Sequence, residues 1–182
     1  MLTQNLSDKL SAIRLLICDV DGVLTDGLLY YQHDQIAYKA FHVHDGLGLK
    51  LLQMCGVEIG IITTCTSSTI HHRMQQLNIR HVYQGQVNKQ NAYNQLLETT
   101  GFSDQQVAYI GDDLPDLALI ERVGFGVAVA DATPRVKQAA AWITQKVGGK
   151  GAVREVCDLI LEVQDPNHQA LQRYHEHHAK NA

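Results

Sequence analysis

A chain of 182 residues, 45% of them hydrophobic, is long enough to fill one core and too short for two. Fifteen Lys and Arg against nineteen Asp and Glu leave a net charge of −4, which excludes the broad basic footprint of a nucleic-acid binder or of a protein drawn to anionic membranes. No stretch approaches a membrane span, the opening MLTQNLSDKL lacks the marks of a signal peptide, and the scattered Cys18, Cys55, Cys65 and Cys157 form no C-x-x-C pair, so the expectation is a cytoplasmic protein with reduced thiols.

Short apolar runs carrying β-branched residues alternate with longer stretches of helical period, as a parallel sheet wrapped by helices requires. The first strand is expected at 13–20, IRLLICDV. Directly after it, residues 27–43 read as two extended segments around His33-Asp34-Gln35, a β-hairpin that would stand over the carboxyl edge of the sheet. Then come a helix near 46–56, a strand at 58–64, a helix at 67–77, a strand at 81–85 and a helix at 88–100. The second half repeats the rhythm: strand 107–113, helix 115–122, strand 124–130, helix 134–139, a weak strand at 142–144 and a helix at 151–163. The fold expected is one α/β domain over residues 1–163, a doubly wound, mostly parallel Rossmann-like sheet with an inserted hairpin flap. Residues 164–182 form a polar, His-rich tail, read as a helix extension or a frayed end.

Ligands of open α/β sheets bind beyond the carboxyl ends of the strands. There the sequence delivers Asp19 and Asp21, then Thr63 and Thr64, then Asn88 and Lys89, and finally Asp112, Asp113 and Asp116. Singly, each has an ordinary explanation, as a turn, a helix cap, a strand-end hydroxyl or a solvated lysine. Together, carboxylates from two strands suit an oxygen-loving, octahedral cation, magnesium more than zinc. A lysine and a hydroxyl beside that cation make a pocket for a phosphoryl group. Asp19 would then attack phosphorus, and Asp21 would protonate the leaving oxygen.

The string Asp19-Val20-Asp21-Gly22-Val23-Leu24-Thr25 resembles the D-x-D-G-x-[LV]-[TS] opening of the haloacid dehalogenase superfamily of phosphohydrolases. YKAFHVHDGLGLKLL, YQGQVNK, VAYIGDDLPD and GGKGAVREVCDLIL extend the resemblance from about residue 10 to residue 163, toward a small branch without a cap domain. That branch acts on the phosphate of an acidic eight-carbon sugar in lipopolysaccharide precursor synthesis. The resemblance implies Asp19 as nucleophile and magnesium ligand, Asp21 as general acid/base and ligand through its backbone carbonyl, and Asp112 as the third ligand, with Asp113 and Asp116 behind them. Thr63 and Lys89 would hold the phosphoryl group, and His42, Val43, His44, Asp45, Gly46, Lys50, Cys65 and Arg73 would line the substrate side. It also implies a homotetramer built through the hairpin, with a neighbour's glycine-rich segment (here Gly148, Gly149, Lys150, Gly151 and Arg154) closing over the site in trans.

Three residues, in two motifs, depart from the resembled pattern. His44 stands in F-x-V-[RK]-D-G where a permanent cation is usual, and Thr64-Cys65 stand where I-T-G-R is usual. A neutral thiol cannot replace a bidentate guanidinium, so the sugar carboxylate would be held more weakly or by other residues such as Lys50 and Arg73. A phosphatase for a nine-carbon acylneuraminate-type acid, an inactive scaffold that keeps fold and metal, and a phospho-receiver domain are the competing readings. The acid at position 21 speaks against the last, because it promotes turnover of a phosphoenzyme. His71, His72, His81 and the tail histidines read as surface residues, and Trp142, Tyr30, Tyr31 and Tyr38 as core or interface residues.

Overall fold

The computed structural model describes residues 3–32 and 35–179. Six parallel strands form the main sheet: β1 (Leu15–Cys18), β4 (Glu58–Ile62), β5 (His81–Tyr83), β6 (Val107–Gly111), β7 (Phe125–Ala128) and β8 (Trp142–Ile143), in the order β5-β4-β1-β6-β7-β8. Strands β1 and β6 are buried along their whole length, as strands covered on both faces must be, and their apolar runs follow from that. Helices α1 (Gln4–Ala12), α2 (Val43–Cys55) and α7 (Ala152–Gln164) pack together on one side, and α4 (Lys89–Thr100), α5 (Leu117–Arg122) and α6 (Pro134–Ala139) on the other. Helix α3 (Ser68–Gln76) connects β4 to β5.

The strand order fixes where a ligand can sit. From β1 the chain moves outward through β4 to β5, then returns to the other side of β1 and moves outward through β6, β7 and β8. The reversal leaves a crevice at the carboxyl ends of β4, β1 and β6, the switch point of a doubly wound sheet.

The expected strands are all present, shorter than read: β1 ends at Cys18 and β4 at Ile62, because the polar residues that follow leave the sheet to form the crevice. Strands β2 (Tyr30–Gln32) and β3 (Gln35–Tyr38) pair antiparallel outside the main sheet, with the Tyr30 and Tyr38 rings stacked 4.6 Å apart. The expected turn at His33-Asp34 lies outside the described residues.

Two terminal helices were not expected. Helix α1 carries little apolar pattern and fully buries only Leu10. In the tail, α8 (Gln169–Ala179) is a separate helix lying on α2, and not an extension of α7. Its first amides, Gln169 and Ala170, donate to the Asp165 carboxylate at 2.8 Å each. Its Arg173 guanidinium donates to the Met54 carbonyl in the last turn of α2 at 2.7 Å, where a cation is favoured. Replacing Asp165 by Ala removes the acceptor for those amides and is expected to destabilise α8 by about 1 kcal/mol. Hydrogen exchange should show faster exchange in α8 with α2 and α7 unchanged; unchanged α8 protection would refute the capping role.

Candidate active site

Asp19 is the first residue past β1, and its N–H continues the pairing with β6 by donating to the Ile110 carbonyl at 3.0 Å. The chain then turns tightly: the Val20 carbonyl accepts from the amides of Val23, Leu24 and Thr25, and from the Thr25 hydroxyl. The same hydroxyl oxygen accepts from the amides of Gly22 and Gly27, so the threonine of the motif braces the loop from inside. Gly22 has φ +85°, and a methyl group there would fall 2.2 Å from Asp112 Oδ2. The motif glycine thereby admits the Asp112 carboxylate to the loop that carries Asp19 and Asp21.

At the end of β6, Asp116 organises the turn. Its Oδ2 accepts from the amides of Asp112 and Asp113 at 3.0 and 3.3 Å, and its Oδ1 accepts from the Tyr109 hydroxyl at 2.6 Å and from Lys89 Nζ at 2.7 Å. Lys89, the first residue of α4, also lies 2.9 Å from Asp19 Oδ1. All three of Asp19, Lys89 and Asp116 are buried.

Oxygen atoms of Asp19, Asp112 and Asp116 lie within 4.8 Å of one another. Donors already fill the four acceptor directions of Asp116, so the carboxylates able to face a cation are Asp19 and Asp112. An all-oxygen donor set at this density fits magnesium. The electrostatics agree with a missing positive charge. Burial first, then Asp116, pushes the Asp19 carboxyl up to about 7 despite Lys89, and burial, Asp116 and Asp19 push Asp112 up to about 7 as well. Burial pulls the Lys89 ammonium down, but Asp19 and Asp116 outweigh it and leave its pKa above the usual lysine value.

Thr63 is the first residue past β4, buried, with its hydroxyl oxygen accepting from the Cys65 amide at 3.2 Å. Cys65 is half-buried, and all four cysteines are free thiols. Helix α2 starts earlier than the expected 46: His42 is its N-cap, and Val43 to Gly46, expected to belong partly to the hairpin, form its first turn. Arg73 reaches this turn from α3, with its guanidinium 6.0 Å from the Phe41 ring and against Gly46, where a side chain would collide with it. His42 and His44 stand edge to face, ring centres 4.9 Å apart, and line a cavity of about 630 Å³ with Trp142, Lys146, Lys150 and Arg154.

Two of the expected substrate residues, Asp45 and Lys50, face other partners. Asp45 is 1% exposed, and its Oδ1 accepts from the Arg154 amide at 2.7 Å, so it caps the first turn of α7 instead of facing the crevice. Lys50 lies a further turn along α2 and lines a separate cavity of about 190 Å³ with Leu77, Asn78 and His177, because the helix runs away from the strand ends. Within its own chain, the glycine-rich segment packs under the loop that follows β1. Gly149 N–H donates to the Val23 carbonyl at 2.9 Å, and a methyl on Gly148 would lie 1.8 Å from the Gly22 carbonyl oxygen, so both glycines are wedged under the loop that holds Asp21. Lys150 and Arg154 point to the cavity of His42 and His44, where Arg154 pairs with Asp158 at 2.7 Å. The histidines expected at the surface make local pairs, His81 with Glu58 and His72 with Gln76.

Sequence reasoning missed Lys39. Its side chain is 3% exposed and forms an ion pair with Asp21 Oδ1 from the residue just past β3. The signal was a lone charge in the apolar run IAYKAF, the same kind that singled out Asp19.

A phosphoryl-transfer centre of carboxylates and a lysine at the switch point of a doubly wound sheet defines a class of α/β hydrolase, and the chain belongs to it: residues 58–156 match the haloacid dehalogenase-like hydrolases. Among curated relatives, the chain is 50% identical to the 3-deoxy-D-manno-octulosonate 8-phosphate phosphatase of Yersinia pestis over 153 residues, 84% of this chain and 82% of that one. With the Escherichia coli K12 phosphatase of the same name it shares 47% identity over 86% of this chain and 83% of that protein. Among solved structures, a hydrolase of the same superfamily, subfamily III A, from Legionella pneumophila superimposes with a TM-score of 0.92 at 52% identity, covering 94% of both chains. The Moraxella catarrhalis 3-deoxy-D-manno-octulosonate 8-phosphate phosphatase, solved with magnesium, phosphate and the sugar acid, superimposes with a TM-score of 0.88 at 39% identity, covering 95% of this chain and 99% of that one. Family membership sets aside the receiver-domain reading.

The crowded carboxylates give a pH signature. Asp19 and Asp112 are held near 7 in the folded protein against 3.8 as the unperturbed value, so the folded state keeps protons that the unfolded chain has released. Their contribution to stability therefore falls as pH rises from about 4 to about 7 without metal, and a cation that binds the carboxylate forms restores it. Magnesium should raise the melting temperature more at about pH 7.5 than at about pH 5, and Asp112→Asn should flatten that difference. Equal shifts at both pH values would refute this account.

Proposed function

We propose that the chain is a magnesium-dependent phosphomonoesterase that hydrolyses 3-deoxy-D-manno-octulosonate 8-phosphate to the free sugar acid and phosphate. One observation carries the reading: buried Asp19 shares Lys89 with Asp116 and stands beside Asp112 at the strand-end crevice. The names of relatives at about half identity supply the substrate.

Asp19 attacks phosphorus with the oxygen not committed to Lys89, and the phosphorus–sugar oxygen bond breaks to leave an aspartyl-phosphate. Asp21 gives its proton to the departing oxygen, then takes one from the water that hydrolyses the phosphoenzyme. Lys89, with Thr63 at the neighbouring strand end, holds the phosphoryl oxygens in line. Asp19, Asp112 and the backbone carbonyl of Asp21 would hold magnesium, which would neutralise charge on the acids and the phosphoryl group. Asp116 keeps Lys89 and the Asp112 turn in place without touching substrate.

Arg73, against the first turn of α2, and the cavity shared by His42, His44, Lys150 and Arg154 are the candidate places for the sugar acid. The reading extends to a homotetramer in which a neighbouring subunit's tail closes the site. Leu28, Leu29, Tyr31 and Tyr38 are each more than half exposed on the hairpin, a surface that favours burial against another copy. It also extends to a cytoplasmic enzyme of lipopolysaccharide precursor synthesis. No helix among the described residues is long and apolar enough to cross a membrane.

Phosphate release from purified protein with magnesium, on the eight-carbon substrate and on a nine-carbon acylneuraminate-type acid phosphate, tests the proposal. Preference for the eight-carbon acid, with no turnover above background in Asp19→Asn, is the expected result. Preference for the nine-carbon acid would move the substrate assignment, and intact fold and magnesium binding without turnover on either would mark a scaffold.

A further inference from the structure

Lys39 and Lys89 are the buried lysines among the described residues, and each pairs with one acid of the D-x-D motif. Lys89 has a role in the proposed reaction. Lys39 has none, although a buried ammonium is costly to keep and is retained only against a specific partner. That partner is Asp21, whose side chain is 32% exposed while that of the lysine is buried at 3%. The lysine reaches it across 18 residues of sequence, from the segment where the hairpin returns toward α2.

We propose that Lys39 is a positioning residue for Asp21, fixing its carboxyl group for proton exchange and tying that group to the base of the hairpin. The inference rests on the reading of Asp21 as general acid/base. A half-exposed carboxylate left to itself samples several rotamers, and fixing one before reaction removes that entropy from the barrier. Lys39 engages Oδ1, which leaves Oδ2 for the proton. The form it holds is the carboxylate that remains after the proton has gone to the leaving oxygen, which must stay in place to accept a proton from the attacking water. Lys39 holds that carboxylate and takes no part in the proton transfer itself.

Leaving-group chemistry tests this. 2,4-Dinitrophenyl phosphate needs no proton for its leaving group to depart, whereas its phosphoenzyme still needs Asp21 to activate water. In Lys39→Met, the pre-steady-state burst of dinitrophenolate should persist within about twofold, while steady-state turnover falls about 10- to 100-fold, part of what general acid–base catalysis contributes. KM should change little, and Lys39→Arg should recover most of the loss. In an Asp21→Asn background, Lys39→Met should cost no more than about a further twofold, as for residues acting through one group. A burst slowed as much as turnover, or a loss that multiplies with that of Asp21→Asn, would overturn the inference. If Lys39→Met does not fold, Lys39→Gln carries the same comparison. Full turnover of the sugar phosphate by Asp21→Asn would instead overturn the acid–base reading of Asp21, a result recognisable without any Lys39 variant.

Discussion

The site depends on one buried ammonium. Lys89 sits between Asp19 and Asp116, 2.9 and 2.7 Å from their oxygens, and lets two carboxylates exist where water is nearly excluded. Without it, parallel strands that end in acids would force those acids to stay protonated. With it, the balance is still short of positive charge, since Asp112 adds a third carboxylate against one lysine. That shortfall makes the site a cation site, and the raised values of Asp19 and Asp112 express the same deficit. Asp116 stabilises the arrangement by spending all its acceptor capacity inside the protein, on Lys89, Tyr109 and two backbone amides. The geometry of the turn after β6 and the position of the lysine are therefore set by a single side chain.

The second constraint is steric. The loop after β1 must admit Asp112 on one side and the Gly148–Gly149 segment on the other, and at both approaches a side chain would collide with backbone or carboxylate. Gly148 N–H in turn donates to Asp131, and Thr133 N–H to the Asp112 carbonyl, so the chain after β7 links the glycine segment back to Asp112. Asp45 ties the first turn of α2 to the first turn of α7 in the same way. The loops around the crevice thus brace one another, and the open sheet edge becomes a preorganised site in which little has to move for charge to be met.

Much of this was legible in the sequence, for reasons that also explain what was not. Strand ends can be read where apolar runs stop, and in an open parallel sheet those ends converge, so Asp19, Lys89 and Asp112 can be brought together from the sequence. What an amphipathic pattern cannot supply is the partner across space. Asp45 and Lys50 both sit on α2, yet one faces the amides of α7 and the other a cavity beneath α8. The helical period does not say which end of the helix is near the crevice. Helix α8 was hidden because its polar, His-rich composition looks like a solvated tail, while the contacts that dock it are a capping carboxylate and one arginine to a carbonyl. Lys39 was hidden for a similar reason, since a buried lysine betrays its role only when the acid opposite it is known.

The positions that depart from the family's pattern follow the same division. Asp19, Lys89, Asp116 and Tyr109 are buried and hydrogen-bonded to one another, so losing any one strands a buried polar group and costs fold as well as chemistry. His44 and Cys65 are under no such constraint. His44 is exposed with its ring against His42, and Cys65 is held through its backbone amide and not through its thiol. Substitution at these places leaves the hydrogen-bonded network of Asp19, Lys89, Asp116 and Tyr109 intact. Arg73 brings a permanent cation to the first turn of α2 where positions 44 and 65 offer none. The carboxylates and the lysine are locked into the core by their hydrogen bonds, and the residues that depart from the resembled pattern lie outside that network.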